Sequence, residues 1–184
     1  MIDASGYEKN EILKNGLAVK IRAIRPSDKA GIAEAFGKLA PESIYTRFFQ
    51  AKKSLSNTEL TRATEVDFEN TVALVVTVES EGKETIIGGG RYSAGAPDAA
   101  GVRSAEIAFV VEEDYQGLGI AGCILKHLGC IGREKGIVQF EAEVLMQNKA
   151  MLAVFSRSGF PMKQTQTEGI IHVTLSLTGR SELT

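Results

Sequence analysis

Between residues 114 and 128 the chain reads DYQGLGIAGCILKHL, and Gly117, Gly119 and Gly122 stand where an apolar-periodic helix begins. Each glycine in a helical turn is less favourable than alanine by roughly 1 kcal/mol, so the three give up on the order of 2 to 3 kcal/mol. A ligand that must come close to the backbone would offset that loss. Amides at a helix N-terminus lack intrahelical partners and carry the positive end of the macrodipole, so they hold a diphosphate wherever no side chain blocks its approach. Packing is the competing explanation, and Gly129 and Gly132, further along the same helix, have no ligand role and point to it. No Gly-Lys-Ser/Thr follows, which excludes a nucleoside-triphosphate loop with a lysine on the phosphates.

Two spacings fit the loop. Gly117, Gly119 and Gly122 satisfy the G-x-G-x-x-G dinucleotide fingerprint, with Glu141 and Glu143 about 20 residues on, where a ribose-binding carboxylate is expected. Against it, EEDYQ separates the glycines from the preceding strand, and only about 60 residues follow the motif. The second spacing is Gln116-x-x-Gly119-x-Ala121.

The second chemical candidate is Glu106, in SAEIAFVV. Strand alternation puts Ile107, Phe109 and Val111 on one face and Glu106, Ala108 and Val110 on the other. A carboxylate set among small apolar residues loses hydration and binds a proton more readily, as a general base requires; the bland alternative is a solvated glutamate near a strand end. An amine with a pKa of about 10.4 is under about 0.1% neutral at pH 7, so transfer of an acyl group to it benefits from such a base. Cys123, His127 and Cys130 share a helical face. The two thiols lie about 10 Å apart along the axis, too far for a disulfide. A structural zinc usually takes four protein ligands and no second cluster supplies the fourth, so packing is the expected role and no metal is expected.

Several elements must position these residues. AVKIRAIR (18–25) reads as a strand paired through KNG with EIL before it. Ser27 is expected to cap a helix carrying Ile32, Ala35, Phe36 and Leu39; Pro41 starts a second, PESIYTRFF; Ser56 and Glu59 have capping-box spacing for a third. TVALVVTVE and ETIIGGGRYS read as strands joined around Gly82, followed by a loop, AGAPDAAG. Then come a strand over 104–111, a helix over 117–135 closed by Gly136, the strand IVQFEAEVL, a helix from Asn148 to Gly159, and the strand IIHVTLSL. Strand, helix, strand makes one parallel pair after an antiparallel meander.

The chain has 184 residues, 43% of them apolar, and no low-complexity run, which fits one domain over 1–184 with a core at about 18–178 and a short N-terminal extension, 1–17. A net charge of -2 leaves no basic footprint for nucleic acid or for a membrane surface. No apolar run reaches membrane-span length and the N-terminus lacks signal-peptide regions, so the chain reads as complete and cytoplasmic.

Gln116-x-x-Gly119-x-Ala121, preceded by AEIAFVV and followed by NKAMLAVFSRSGF, resembles the GNAT superfamily of acyl-CoA-dependent N-acyltransferases, from about Lys20 to Leu177 in the family's order of elements. Residues 21–49, through the PES.Y.RFF run, look like the opening of the GNAT domain in bacterial protein-lysine acetyltransferases. The resemblance implies an α+β fold: a mixed, mostly antiparallel twisted sheet of about six or seven strands, helices on both faces, and a parallel β-α-β unit splayed into a CoA cleft. It implies acetyl-CoA as co-substrate, without a metal, and Glu106 as general base. It places the oxyanion donors near Val110 and Val111, and puts Gln116, Gly117, Leu118, Gly119, Ile120, Ala121, Asn148 and Phe155 against CoA. Phe155 stands where many members carry a tyrosine that protonates the departing thiolate, with Tyr115 or a water as its substitute. A thiol with a pKa of about 8.5 leaves tolerably as thiolate, so the missing phenol should slow the reaction without abolishing it. The implied acceptor is an amine on a protein lysine. The alternatives are a small-molecule amine or antibiotic, or a module that senses acyl-CoA without turnover, in each case as a monomer or homodimer. Tyr45, Arg47 and Phe48 would line the acceptor cleft or, with Phe49, pack the helix.

Overall fold

The apolar run from Thr71 builds the middle of the molecule. In the computed structural model, which describes residues 1–179, β3 (Thr71–Ser80) buries every residue from Val72 to Thr77. Alternation sorts these side chains into two cores: Val72, Leu74 and Val76 join the main cluster, and Ala73 and Val75 a smaller one with Ile24. A strand buried on both faces needs helices on both sides, and it has them.

Before β3 come β1 (Glu8–Ile12), β2 (Ala18–Ala23), a 3-10 turn (Pro26–Asp28), α1 (Lys29–Gly37), α2 (Pro41–Phe48) and α3 (Asn57–Thr64). After it come β4 (Lys83–Ala94), β5 (Ser104–Val111), a 3-10 turn (Glu113–Tyr115), α4 (Ile120–Glu134), β6 (Gln139–Leu145), α5 (Lys149–Ser156), β7 (Met162–Thr167) and β8 (Ile170–Ser176). Among the described residues these strands form one sheet of eight, ordered β1-β2-β3-β4-β5-β6-β8-β7 and antiparallel except between β5 and β6. β1 is paired along the edge of β2, and Ala4 and Leu13 belong to the main core.

The strand count exceeds the expected six or seven. β7, MKQTQT, is almost wholly exposed and shows no apolar alternation, so nothing in its sequence marks it as a strand; it is fixed by pairing with β8. Ser27 does not cap the first helix. It sits inside the 3-10 turn, where Asp28 Oδ2 instead accepts from the Arg25 amide at 2.7 Å. The Ser56–Glu59 capping box is present in both directions, at 3.2 and 2.8 Å. α4 begins three residues later than its expected start, because Gly117 and Gly119 have φ of 78° and 91°, outside helical geometry. With a single parallel pair, the sheet lacks the repeated β-α-β units that a dinucleotide-binding domain is built from, which removes the fingerprint reading of the glycines.

Candidate active site

β5 and β6 pair over only three positions, Ser104 with Gln139, Ala105 with Phe140 and Glu106 with Glu141. On its other side β5 stays paired to β4 as far as Val111 opposite Gly88. From Ile107 onward the β6-facing edge of β5 therefore has no strand beside it. The Glu112 amide donates to Ile87 O at 2.9 Å and Gly95 N to Ser104 O at 3.3 Å, so even-numbered residues of β5 bond toward β4. By strand alternation the Val110 amide is spent on β4, and the amides of Phe109 and Val111 point into the gap. Of the two expected oxyanion positions, only Val111 turns its amide that way.

The glycine loop runs past the same gap. Gln116 Nε2 donates to Val111 O at 3.0 Å, so this side chain ties the loop to the end of β5. Gly119 is the N-cap of α4 and supplies no side-chain cap, which leaves the first amides of the helix to an outside acceptor. A Cβ on Gly117 or Gly122 would meet nothing within 4 Å, and one on Gly119 only the aliphatic stem of Lys14, from 3.4 Å. At Gly129 it would strike Phe160 Cζ at 2.8 Å, and at Gly132 Phe140 Cζ at 3.2 Å. Close packing accounts for the later pair and not for the first three. Leu118 and Ala121 pack against the core and Ile120 is buried in it, so these three offer the loop's backbone rather than their side chains.

Asn148 caps α5, its Oδ1 accepting from Met151 N at 3.2 Å. Phe155 is 1% exposed and its ring lies 6.1 Å from that of Phe109, in the stretch of β5 that β6 has left. It fills core space there and presents no surface to a ligand. Tyr115 is partly buried against the same core.

On the opposite face, α1, α2 and α3 roof a groove of about 270 Å³ whose floor includes Gly89, Ala108 and Val110. Small floor residues leave the space. Arg47 and Arg91 line this groove, Arg91 directly across from Ala108 on β4. Burial pushes the pKa of both below its ordinary value; for Arg47 the Arg91 charge adds to this, and the Glu106 charge offsets it for both. Glu106 itself is exposed at the mouth, where the strands part. The lost hydration expected from its small apolar neighbours is therefore absent, and arginines are its electrostatic company. Tyr45 is exposed, while Phe48 packs edge-on to Phe36 at 5.9 Å under the Arg47 guanidinium and also lines the groove.

Arg91 and Glu112 were not singled out by the sequence reading. Glu112 is buried at the end of β5 and lines the groove. The alternation that put Glu106, Ala108 and Val110 on one face, applied to β4 and extended past Val110, would have found both.

The model of the Acetyltransferase (GNAT) family matches residues 40–160. An acetyltransferase of Pseudomonas aeruginosa is 28% identical over 150 residues, covering 82% of this chain and 78% of its own. The solved GNAT domain of S. lividans PAT is 30% identical with a TM-score of 0.80, covering 92% of this chain and 96% of that one. Salmonella typhimurium yncA, solved with its cofactor acetyl-CoA, shares the fold at 18% identity and a TM-score of 0.69, covering 89% of this chain and 96% of its own.

Proposed function

The chain belongs to the GNAT acetyltransferase family and is an acyl-CoA-dependent N-acetyltransferase, and we propose that it acetylates protein lysine side chains by direct attack, with Glu106 as general base. The observation that carries this reading is the opening of the sheet immediately after Glu106, with free β5 amides on one side and the uncapped glycine loop at its end. The amides from Gly117 to Gly122 hold the diphosphate of acetyl-CoA, and the Lys14 stem beside Gly119 brings a cation to the same place. Glu106 takes a proton from the attacking amine, directly or through one water. The Val111 amide faces the oxygen on which negative charge builds, a fixed donor of the kind worth a few kcal/mol in acyl transfer. The sulfur departs as thiolate, since Phe155 has no proton to give.

The likeness to the GNAT domain of S. lividans PAT over nearly the whole chain supports the lysine acceptor. A small-molecule amine is the second reading, favoured by a groove of only about 270 Å³ lined by Arg47, Arg62 and Arg91, which suit an amine that also carries an anionic group. The test is Glu106→Gln, assayed by calorimetric titration with acetyl-CoA and by transfer to lysine-bearing proteins and to small amines. Binding should be retained and transfer should fall about 100-fold or more. Undiminished transfer would remove Glu106 from the mechanism, and transfer to small amines alone would replace the lysine acceptor with the second reading.

A further inference from the structure

On the first turns of α4, away from the open edge of β5, a second group of reactive side chains meets the edge strand β1. His127 Nδ1 lies 2.5 Å from Tyr7 Oη, and His127 Nε2 lies 2.9 Å from Glu11 Oε1. Cys123 stands one helical turn before His127, and the ligand atoms of Glu11, Cys123 and His127 all lie within 4.8 Å of one another. We propose that these three residues form a zinc site, with water in the fourth position.

Sulfur, imidazole nitrogen and carboxylate oxygen are the donors zinc takes, and three protein ligands plus water is its open-site pattern. With Zn–S of about 2.3 Å and Zn–N or Zn–O of about 2.0 to 2.1 Å, ligand atoms in a tetrahedron lie roughly 3.3 to 3.7 Å apart. To reach that spacing the Cys123 sulfur must approach by up to about 1 Å and the Glu11–His127 pair, now at 2.9 Å, must part by about 0.5 Å, which side-chain rotation supplies; Glu11, with its side chain 39% exposed, is free to turn. The His127 side chain is only 13% exposed and is held between Tyr7 and Glu11. Tyr7 completes the arrangement as the partner of the other ring nitrogen, the contact that orients a ligating histidine.

The hydrogen bonds among Tyr7, His127 and Glu11 do not include Cys123, which packs against the main core beside them. Its sulfur carries a thiol proton that a metal must displace. Zinc binding displaces that proton to solvent and forms the Zn–S bond; the proton on His127 then sits on Nδ1 and is donated to Tyr7 Oη. The sequence offered Cys130 as third partner along the helix. The fold instead brings Glu11 from the far end of the chain, and Cys130 lies outside the group. Occupied, the site pins β1 to the helix whose N-terminus is the glycine loop.

Cobalt(II) is the probe, titrated into the untagged full chain after chelator treatment. One equivalent should produce the visible bands of a four-coordinate site with a thiolate-to-cobalt band in the near ultraviolet, and zinc should abolish both. Cys123→Ser should lose the thiolate band and roughly a hundredfold in affinity, while Cys130→Ser keeps both. No saturable spectrum in the natural chain, or a thiolate band that survives Cys123→Ser, overturns the proposal. Should Cys123→Ser not fold, iodoacetamide labelling of the natural chain decides: zinc must slow alkylation of Cys123 at least tenfold more than that of Cys130, and equal slowing overturns it.

Discussion

The glycines of α4 differ in kind, although all of them read alike in sequence. Gly122 is helical with open space at its missing Cβ, so Gly122→Ala should stabilise the fold by up to about 1 kcal/mol in urea unfolding. The same methyl would stand over the amides proposed to hold the diphosphate, and acetyl-CoA affinity should drop about tenfold by calorimetry. Gly129→Ala should do the reverse. Its Cβ would strike Phe160, itself buried under Arg133, and overpacking of that sort costs about 1 to 3 kcal/mol with affinity unchanged. Unchanged affinity in Gly122→Ala would leave the loop without its assigned role. Spacing singled out the loop, but which glycine faces a ring and which faces space is set by residues far along the chain, as with Phe160, and no local pattern carries it. Glu106 teaches the same point: alternation gave its face correctly, and its exposure followed from Arg91 and from the parting of β6, which alternation does not contain.

Elements were legible where their own residues fix them and illegible where a distant partner does. Ser56 and Glu59 cap α3 from within it, as their spacing predicted. The start of α1 is set from outside. Arg22, 3% exposed in β2, holds both carboxylate oxygens of Asp28 at 2.9 Å and also Glu84 of β4, so the turn before α1 is fastened to the sheet that α1 must roof. Burial alone would raise the pKa of Asp28, but the hydrogen bonds and charge of Arg22 outweigh it and hold the carboxyl below its usual range. A carboxylate with a depressed folded pKa contributes stability that is complete above its unfolded value, about 3.9, and is lost as pH falls through the folded one. Asp28→Asn should therefore cost about 3 kcal/mol at pH 7, the low end for a broken buried pair because Glu84 still faces Arg22. Urea midpoints at pH 7 and pH 3 check it: the gap between variant and parent should narrow in acid, and a constant gap would mean the pair is not what anchors the turn.

At the scale of the molecule, the sheet is two pieces joined by three residue pairs and bridged by α4, whose Ile124, Leu125, Leu128 and Ile131 are wholly buried in the core that both pieces share. Strand, helix, strand told that β5 and β6 would be parallel neighbours, but where their pairing stops is decided by what fills the space beyond, here Phe155 against Phe109. That junction is where a ligand can act on the whole fold. Amides of Phe109 and Val111 face the gap where those of Ala108 and Val110 face β4, so in the free protein the odd pair should exchange hydrogen at least tenfold faster by NMR. Acetyl-CoA lying in the gap should slow that pair selectively, and at 100 times its dissociation constant it should stabilise the fold by about 2.7 kcal/mol, while NAD should do neither. Stabilisation without protection of Phe109 and Val111 would put the ligand on the glycine loop but outside the gap, and the backbone donors proposed for catalysis would then have to be sought elsewhere on β5.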